Sequence, residues 1–177
     1  MKRIAVSLIL ALLILPMFGG LANAVGNAAV PVLLYHHIAE DTSEFDPMLA
    51  ITPEAFREHI VRLLDDGYTP ISYADYEAFL TDGNLPDKPI IITLDDGYLS
   101  NYVYAYAVAK ELNVKMTIFI VAETVGEEVS ENLPHFTWEQ AREMDESGLI
   151  TIGSHTYSHL ELQNLSDFEI NRQLRLS

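Results

Sequence analysis

Four short runs along this 177-residue chain are apolar at nearly every position: "VPVLLYHHI" (30–38), "KPIIITL" (88–94), "KMTIFIV" (115–121) and "LITIGSH" (149–155). A strand with one face in water alternates apolar and polar side chains. A run that does not alternate, with β-branched residues at its centre, needs cover on both faces. The segments between the runs supply that cover as helices with local start and stop signals. Thr52, with Pro53 and Glu54 after it, opens a helix whose stripe of Phe56, Ile60, Leu63 and Leu64 stops at Gly67. "TPIS" (69–72) is a short extended link. Ser72 with Asp75 opens a second helix ending at Gly83, and Tyr98 to Leu112 reads as a third. Thr137 with Gln140 starts a fourth that ends at Gly148, and Ser166 with Glu169 caps a last one running to Ser177. Strands alternating with helices through short turns imply parallel strands with helices packed outside. The fold class is therefore α/β, either an open sheet or a (β/α) barrel.

In both architectures the C-terminal ends of the strands form the functional face. Three polar clusters fall at such ends: His36-His37, Asp95-Asp96, and His155 onward.

The first residues stand apart. Lys2 and Arg3 precede an apolar run from Ile4 to Phe18, and Ala22-Asn23-Ala24 has the small-x-small pattern of a signal-peptidase site. The run is shorter than the roughly 20 residues of a bilayer span, so residues 1–24 read as a secretory signal rather than an uncleaved anchor. Residues 25–29 read as a linker, and 30–177 as one domain, secreted or associated with the cell wall. With no cysteine in the chain, disulfides and thiolate metal sites are excluded, and a metal would have to be held by His, Asp or Glu. Removing Lys2 and Arg3 leaves 8 basic residues against 26 acidic, a net charge of −18. Such a chain repels nucleic-acid phosphates and anionic membrane surfaces, and favours neutral or cationic partners and divalent cations.

"SHTYSH" (154–159) sets His155 and His159 four residues apart, a spacing that lets two imidazoles address one point on a helix or a loop-to-helix turn. Two imidazoles and one carboxylate make the three-ligand set of a catalytic zinc that keeps its fourth position for water. Such an ion lowers the pKa of water from 15.7 toward roughly 7. A second carboxylate close by could then take the proton, so that of two adjacent acids one binds and the other acts as base. By itself "LDDG" would serve equally as an acidic turn.

Together, "TLDDG" (93–97) and, about sixty residues later, "SHTYSH" resemble the first two motifs of the polysaccharide deacetylases, the carbohydrate esterase family 4 or NodB-homology domain. Leu94 stands where that family usually has Phe, and His155, Thr156 and His159 match its H-S/T-x-x-H motif. The resemblance spans about Val30 to Leu176. It implies a partial (β/α) barrel with parallel strands and outer helices. It also implies that Asp95 is the general base, that Asp96, His155 and His159 hold a divalent metal ion, usually zinc, and that Thr156 braces the histidine loop. The reaction implied is hydrolysis of N-acetyl groups on an amino-sugar polysaccharide. "LLYHH" (33–37) resembles the first strand of the subgroup acting on poly-N-acetylglucosamine and related exported glycans, placing His36 near metal or substrate. Tyr98, Tyr102, Tyr104 and Tyr106 could form a sugar-stacking surface, or pack a helix against the barrel.

The family's later motifs, an Arg-containing one, an Asp-Trp element and a Leu-x-His whose histidine is the general acid, have no counterpart in "LELQNLSDFEINRQLRLS" after His159. Two expectations follow: a deacetylase domain incomplete at its C-terminus, or a catalytically silent remnant that binds metal or glycan. A metal-free glycosidase is disfavoured, because its paired carboxyls sit roughly 5 to 9.5 Å apart across the substrate, usually on different elements.

Overall fold

The computed structural model describes residues 30–83, 85–127 and 133–177. The signal-peptide and linker readings fall on 1–29, outside the described residues. Among the described residues seven strands and five α-helices follow one another. The strands are β1 (Val32–Tyr35), β2 (His37–Ile38), β3 (Ala50–Ile51), β4 (Thr69–Pro70), β5 (Pro89–Asp96), β6 (Met116–Ile120) and β7 (Ile150–Ser154). The helices are α1 (Pro53–Asp65), α2 (Tyr73–Asp82), α3 (Tyr106–Leu112), α4 (Trp138–Glu146) and α5 (Asp167–Leu176).

Every strand pairing is parallel. The main sheet runs β1-β5-β6-β7, with β4 also on β5, and β2 and β3 form a separate pair. The register aligns Tyr35 with Leu94, Asp96 with Ile120, and Ile120 with Ser154, so β5, β6 and β7 end at one level and β1 stops two residues short of it. This is the parallel-strand α/β layer of a partial (β/α) barrel.

One face of the sheet carries the core. Ile92 and Leu94 of β5, Met116, Ile118 and Ile120 of β6 and Ile150 of β7 pack against Phe56 and Ile60 of α1, Ala105 and Ala109 near and on α3, and Ala141 and Met144 of α4. Phe56 and Ile60 are fully buried, as the stripe on α1 requires. On edge strand β1 the alternate residues Val32 and Leu34 are 50% and 56% exposed, so one face of that strand is uncovered. Among the described residues no helix is long and apolar enough to cross a membrane.

Three local readings need correction. The run 30–38 is not one strand: it leaves β5 after Tyr35, and His37 and Ile38 pair instead with Ala50 and Ile51. The Asn101 amide donates to the His36 carbonyl (2.8 Å) at the break, and the His37 N–H donates to Leu49 O (2.9 Å). The helix read from Tyr98 contains a π-turn, Asn101–Ala105, before α3. This wider turn buries Asn101 completely, which puts its amide against the His36 carbonyl. The third correction concerns the histidine pair and is described with the site.

Candidate active site

Asp95 and Asp96 close β5, and the turn that follows is held open by backbone geometry. Asp96 has φ 73° and Gly97 φ 79°, both left-handed. Asp tolerates this region better than most residues, and glycine occupies it without penalty. A Cβ on Gly97 would lie 3.1 Å from Ile120 Cγ2, so the turn also packs tightly over the end of β6.

His155 follows β7, its N–H donating to Ile120 O (2.7 Å). His155 and His159 do not share a helix face as their spacing suggests. They lie in a loop where Thr156 (φ 70°) and His159 (φ 56°) are both left-handed. Thr156 Oγ1 accepts the His159 N–H (3.0 Å), and Ser154 Oγ accepts the Thr156 N–H (3.2 Å), so local hydroxyls fix the bend. From α5 the buried Gln173 accepts the Ser158 N–H (2.9 Å) and donates to Ser158 Oγ (2.8 Å).

The loop and the turn bring three of the candidate residues to a single point. Asp96 Oδ1 lies 3.6 Å from His155 Nε2 and 3.6 Å from His159 Nε2, and the two Nε2 atoms are 3.2 Å apart. Asp96 Oδ1 is buried and has no hydrogen-bond partner. A buried acceptor left unpaired beside two imidazole nitrogens is costly unless a cation satisfies it. A point equidistant from the three atoms lies about 2.0 Å from each, matching zinc–imidazole and zinc–carboxylate lengths of roughly 2.0–2.2 Å. The donor set therefore fits a divalent cation.

Asp95 stands beside this triangle, with Oδ2 3.9 Å from His155 Nε2. Burial raises its carboxyl above the ordinary carboxylate range. The Asp96 charge adds to the rise, and the His155, His36 and His159 imidazoles oppose it. His36, at the end of β1, is thus close enough to act on Asp95, and its Nδ1 is buried and unpaired. A cleft of about 370 Å³ opens beside the triangle, lined by Asp96, Tyr98, Val121, Thr124, His135 and His159 among others.

One residue of this neighbourhood, His135, escaped sequence reasoning, and so did its contact with Tyr98. Tyr98 and His135 form an antiparallel bridge, and their rings lie 5.1 Å apart. No periodicity or motif announces this contact, because it joins segments nearly forty residues apart. The tyrosines of 98–106 divide. Tyr106 is buried in the core, and Tyr102 and Tyr104 donate to Glu143 (2.7 Å) and Glu40 (3.0 Å), binding helix to neighbours. Only Tyr98 lines the cleft.

Comparison with known proteins follows the same residues. Positions 82–177 match the family model described as polysaccharide deacetylase. The Bacillus subtilis (strain 168) protein YxkH, which carries a provisional polysaccharide deacetylase name, is 37% identical over 140 residues, covering 78% of this chain and 46% of its own length. The poly-β-1,6-N-acetyl-D-glucosamine N-deacetylase of Escherichia coli (strain K12) is 29% identical over 144 residues, covering 75% of this chain and 21% of its own. Among solved structures, the Streptococcus pyogenes deacetylase PplD in complex with acetate superposes with a TM-score of 0.69 at 26% identity, covering 81% of this chain and 63% of that one. The chain thus spans less than half the length of these two curated relatives.

Proposed function

The chain belongs to the polysaccharide deacetylase family, and from that premise we propose that it is a metal-dependent hydrolase removing N-acetyl groups from an amino-sugar polysaccharide. The observation carrying this reading is the closed triangle of Asp96 Oδ1, His155 Nε2 and His159 Nε2 with a second carboxylate, Asp95, at its side. Asp96, His155 and His159 would hold a divalent cation, and a donor set of two imidazoles and one carboxylate favours zinc. Bound there, the cation would supply Lewis-acid polarisation of the acetamide carbonyl and acidify water.

The remaining work belongs to the chain. Asp95 takes the proton of the attacking water. Its raised pKa suits that role, since a base poised nearer neutrality accepts a proton more readily than an ordinary aspartate. His36, half-buried after β1 with an unpaired Nδ1, would contact the substrate. Water adds across the amide C–N bond, releasing acetate and leaving a free amine on the glycan. An N-acetylglucosamine polymer is the substrate class supported by the name of the Escherichia coli relative. Residues 30–177 would act as the deacetylase domain, and an extracytoplasmic glycan polymer is the substrate that suits the name of the Escherichia coli relative.

The test uses the full chain, titrated with zinc and assayed for acetate release from N-acetylglucosamine oligomers. Asp96→Ala should abolish both binding and release. Asp95→Asn should keep zinc affinity while release falls by roughly 10²–10⁴-fold. Unchanged zinc affinity in Asp96→Ala would remove the metal-site assignment. Zinc bound without turnover in the wild-type chain would identify it as a silent metal- or glycan-binding module.

A further inference from the structure

Asp96 is asked to present one oxygen to two histidines from a backbone conformation that aspartate adopts reluctantly, at a cost of about 1 kcal/mol or more. Something must fix the rotation of its carboxyl group. Three observations converge on Tyr98. The first is a backbone clamp: Leu99 N–H donates to Pro134 O (2.7 Å) and Phe136 N–H donates to Gly97 O (3.2 Å), pinning residues 97–99 against 134–136. The second is a ring sandwich: the Tyr98 ring centroid lies 5.2 Å from His37, at 74°, and 5.1 Å from His135. Both histidines are buried, and His37 is itself fixed through Nδ1 to Ser100 Oγ (3.1 Å). The third is that Tyr98 stands two residues after Asp96 and lines the same cleft.

We propose that Tyr98 is a positioning residue for Asp96: clamped between His37 and His135, its phenol O–H donates to one carboxylate oxygen, so that Oδ1 is aimed at His155 and His159. A phenol O–H is a donor and a carboxylate is acceptor-only, so the pair is chemically matched. Hydrogen bonds of this kind, from outside the ligand set to a ligating carboxylate, characteristically tune metal affinity by 10–100-fold. The role of His135 follows: it is a wall, keeping the ring where the hydroxyl reaches Asp96.

This inference rests on the cation-binding reading of Asp96, and the two can fail separately. Titration of the full-length chain with Co²⁺, followed by visible absorption and calorimetry, reads affinity and ligand geometry without any need for turnover. Tyr98→Phe keeps the ring in its sandwich and removes only the hydroxyl. It should bind Co²⁺ about 10–100-fold more weakly, with an altered absorption band and an unchanged thermal melt of the metal-free protein. Wild-type affinity and spectrum in Tyr98→Phe would overturn the proposal and leave the metal site standing. Absence of Co²⁺ binding in the wild-type chain would overturn both. Should Tyr98→Phe also lower the melt, His135→Phe decides, because it keeps the wall and the phenol. It should bind as wild type does, and a loss equal to that of Tyr98→Phe would show that general packing, not the phenol, controls the site.

Discussion

Gly97→Ala perturbs the turn that carries Asp96, and its cost can be worked from two separate sources. Alanine at φ 79° pays the left-handed penalty, about 1–2 kcal/mol. Its Cβ would also sit 3.1 Å from Ile120 Cγ2 and 3.6 Å from Ile120 Cα. The second distance is ordinary contact, but the first is tight, and the β-branched Ile120, whose Cβ already lies 3.4 Å away, has little freedom to rotate Cγ2 aside. Overpacking of this kind adds about 1 kcal/mol. Gly148→Ala is the natural control, since Gly148 has φ 71° and nothing within 4 Å of its would-be Cβ, so it isolates the backbone penalty. Gly97→Ala should therefore be destabilised by about 2–3 kcal/mol and Gly148→Ala by about 1–2. At roughly 2–4 °C per kcal/mol for a domain of this size, the first should melt some 2–4 °C below the second. Paired thermal melts of the metal-free proteins measure the difference, and a cation titration asks whether Asp96 has been displaced. Equal melts for the two variants would refute the reasoning, because the close approach of the turn to β6 would then place no demand on Gly97.

Two further perturbations test the surroundings of the site. Burial lowers the pKa of His37 and of His135 below the ordinary imidazole value of 6.5, so the unfolded chain binds protons there more readily than the folded one. That contribution to stability is present above about pH 6.5 and is lost as pH falls through the lower folded-state values. Denaturant melts should accordingly weaken from pH 7 to pH 5, and less steeply in His37→Phe; equal slopes in the two proteins would discard this origin. Gln173→Leu removes both bonds from α5 to Ser158 and leaves a backbone N–H unpaired. It should cost about 1–3 kcal/mol in a denaturant melt and weaken cation binding through the loosened His159 loop, and a variant unchanged in both would show that α5 does not support the site.

What the sequence discloses and what it hides divide along the range of the interactions. The starts of α2, α4 and α5 were legible at Ser72, Thr137 and Ser166 because a capping box is chemistry between residues three apart, and all three boxes form with reciprocal bonds. The apolar runs placed β5, β6 and β7 because burial on both faces leaves a compositional trace. The break at His36 was hidden, since it depends on Asn101, sixty-five positions away, and on the partnership of His37 and Ile38 with Ala50 and Ile51. The site itself was half legible. Asp95, Asp96, His155 and His159 stand in short motifs at strand ends, whereas Tyr98 and His135 meet only through the fold.

The histidine pair shows why motif spacing and conformation must be kept apart. Four residues of separation suits a helix face or a loop-to-helix turn, and here a loop carries the pair. The chain instead bends twice through left-handed backbone, at Thr156 and at His159. Among the described residues, four non-glycine positions have positive φ, and three of them are Asp96, Thr156 and His159. Each departure costs of order 1 kcal/mol, and such strain persists only where the surroundings over-determine it. The surroundings here do so: Ser154, Thr156 and Gln173 bond the histidine loop, and Phe136 and Pro134 bond the Asp96 turn. The strain therefore falls on two corners of the triangle, Asp96 and His159, and on Thr156, the hinge between the two histidines, while His155 keeps an ordinary backbone. Backbone strain gathered around one set of converging polar side chains, rather than spread over the loops, is the pattern expected where their direction matters more than the stability of the turns that carry them.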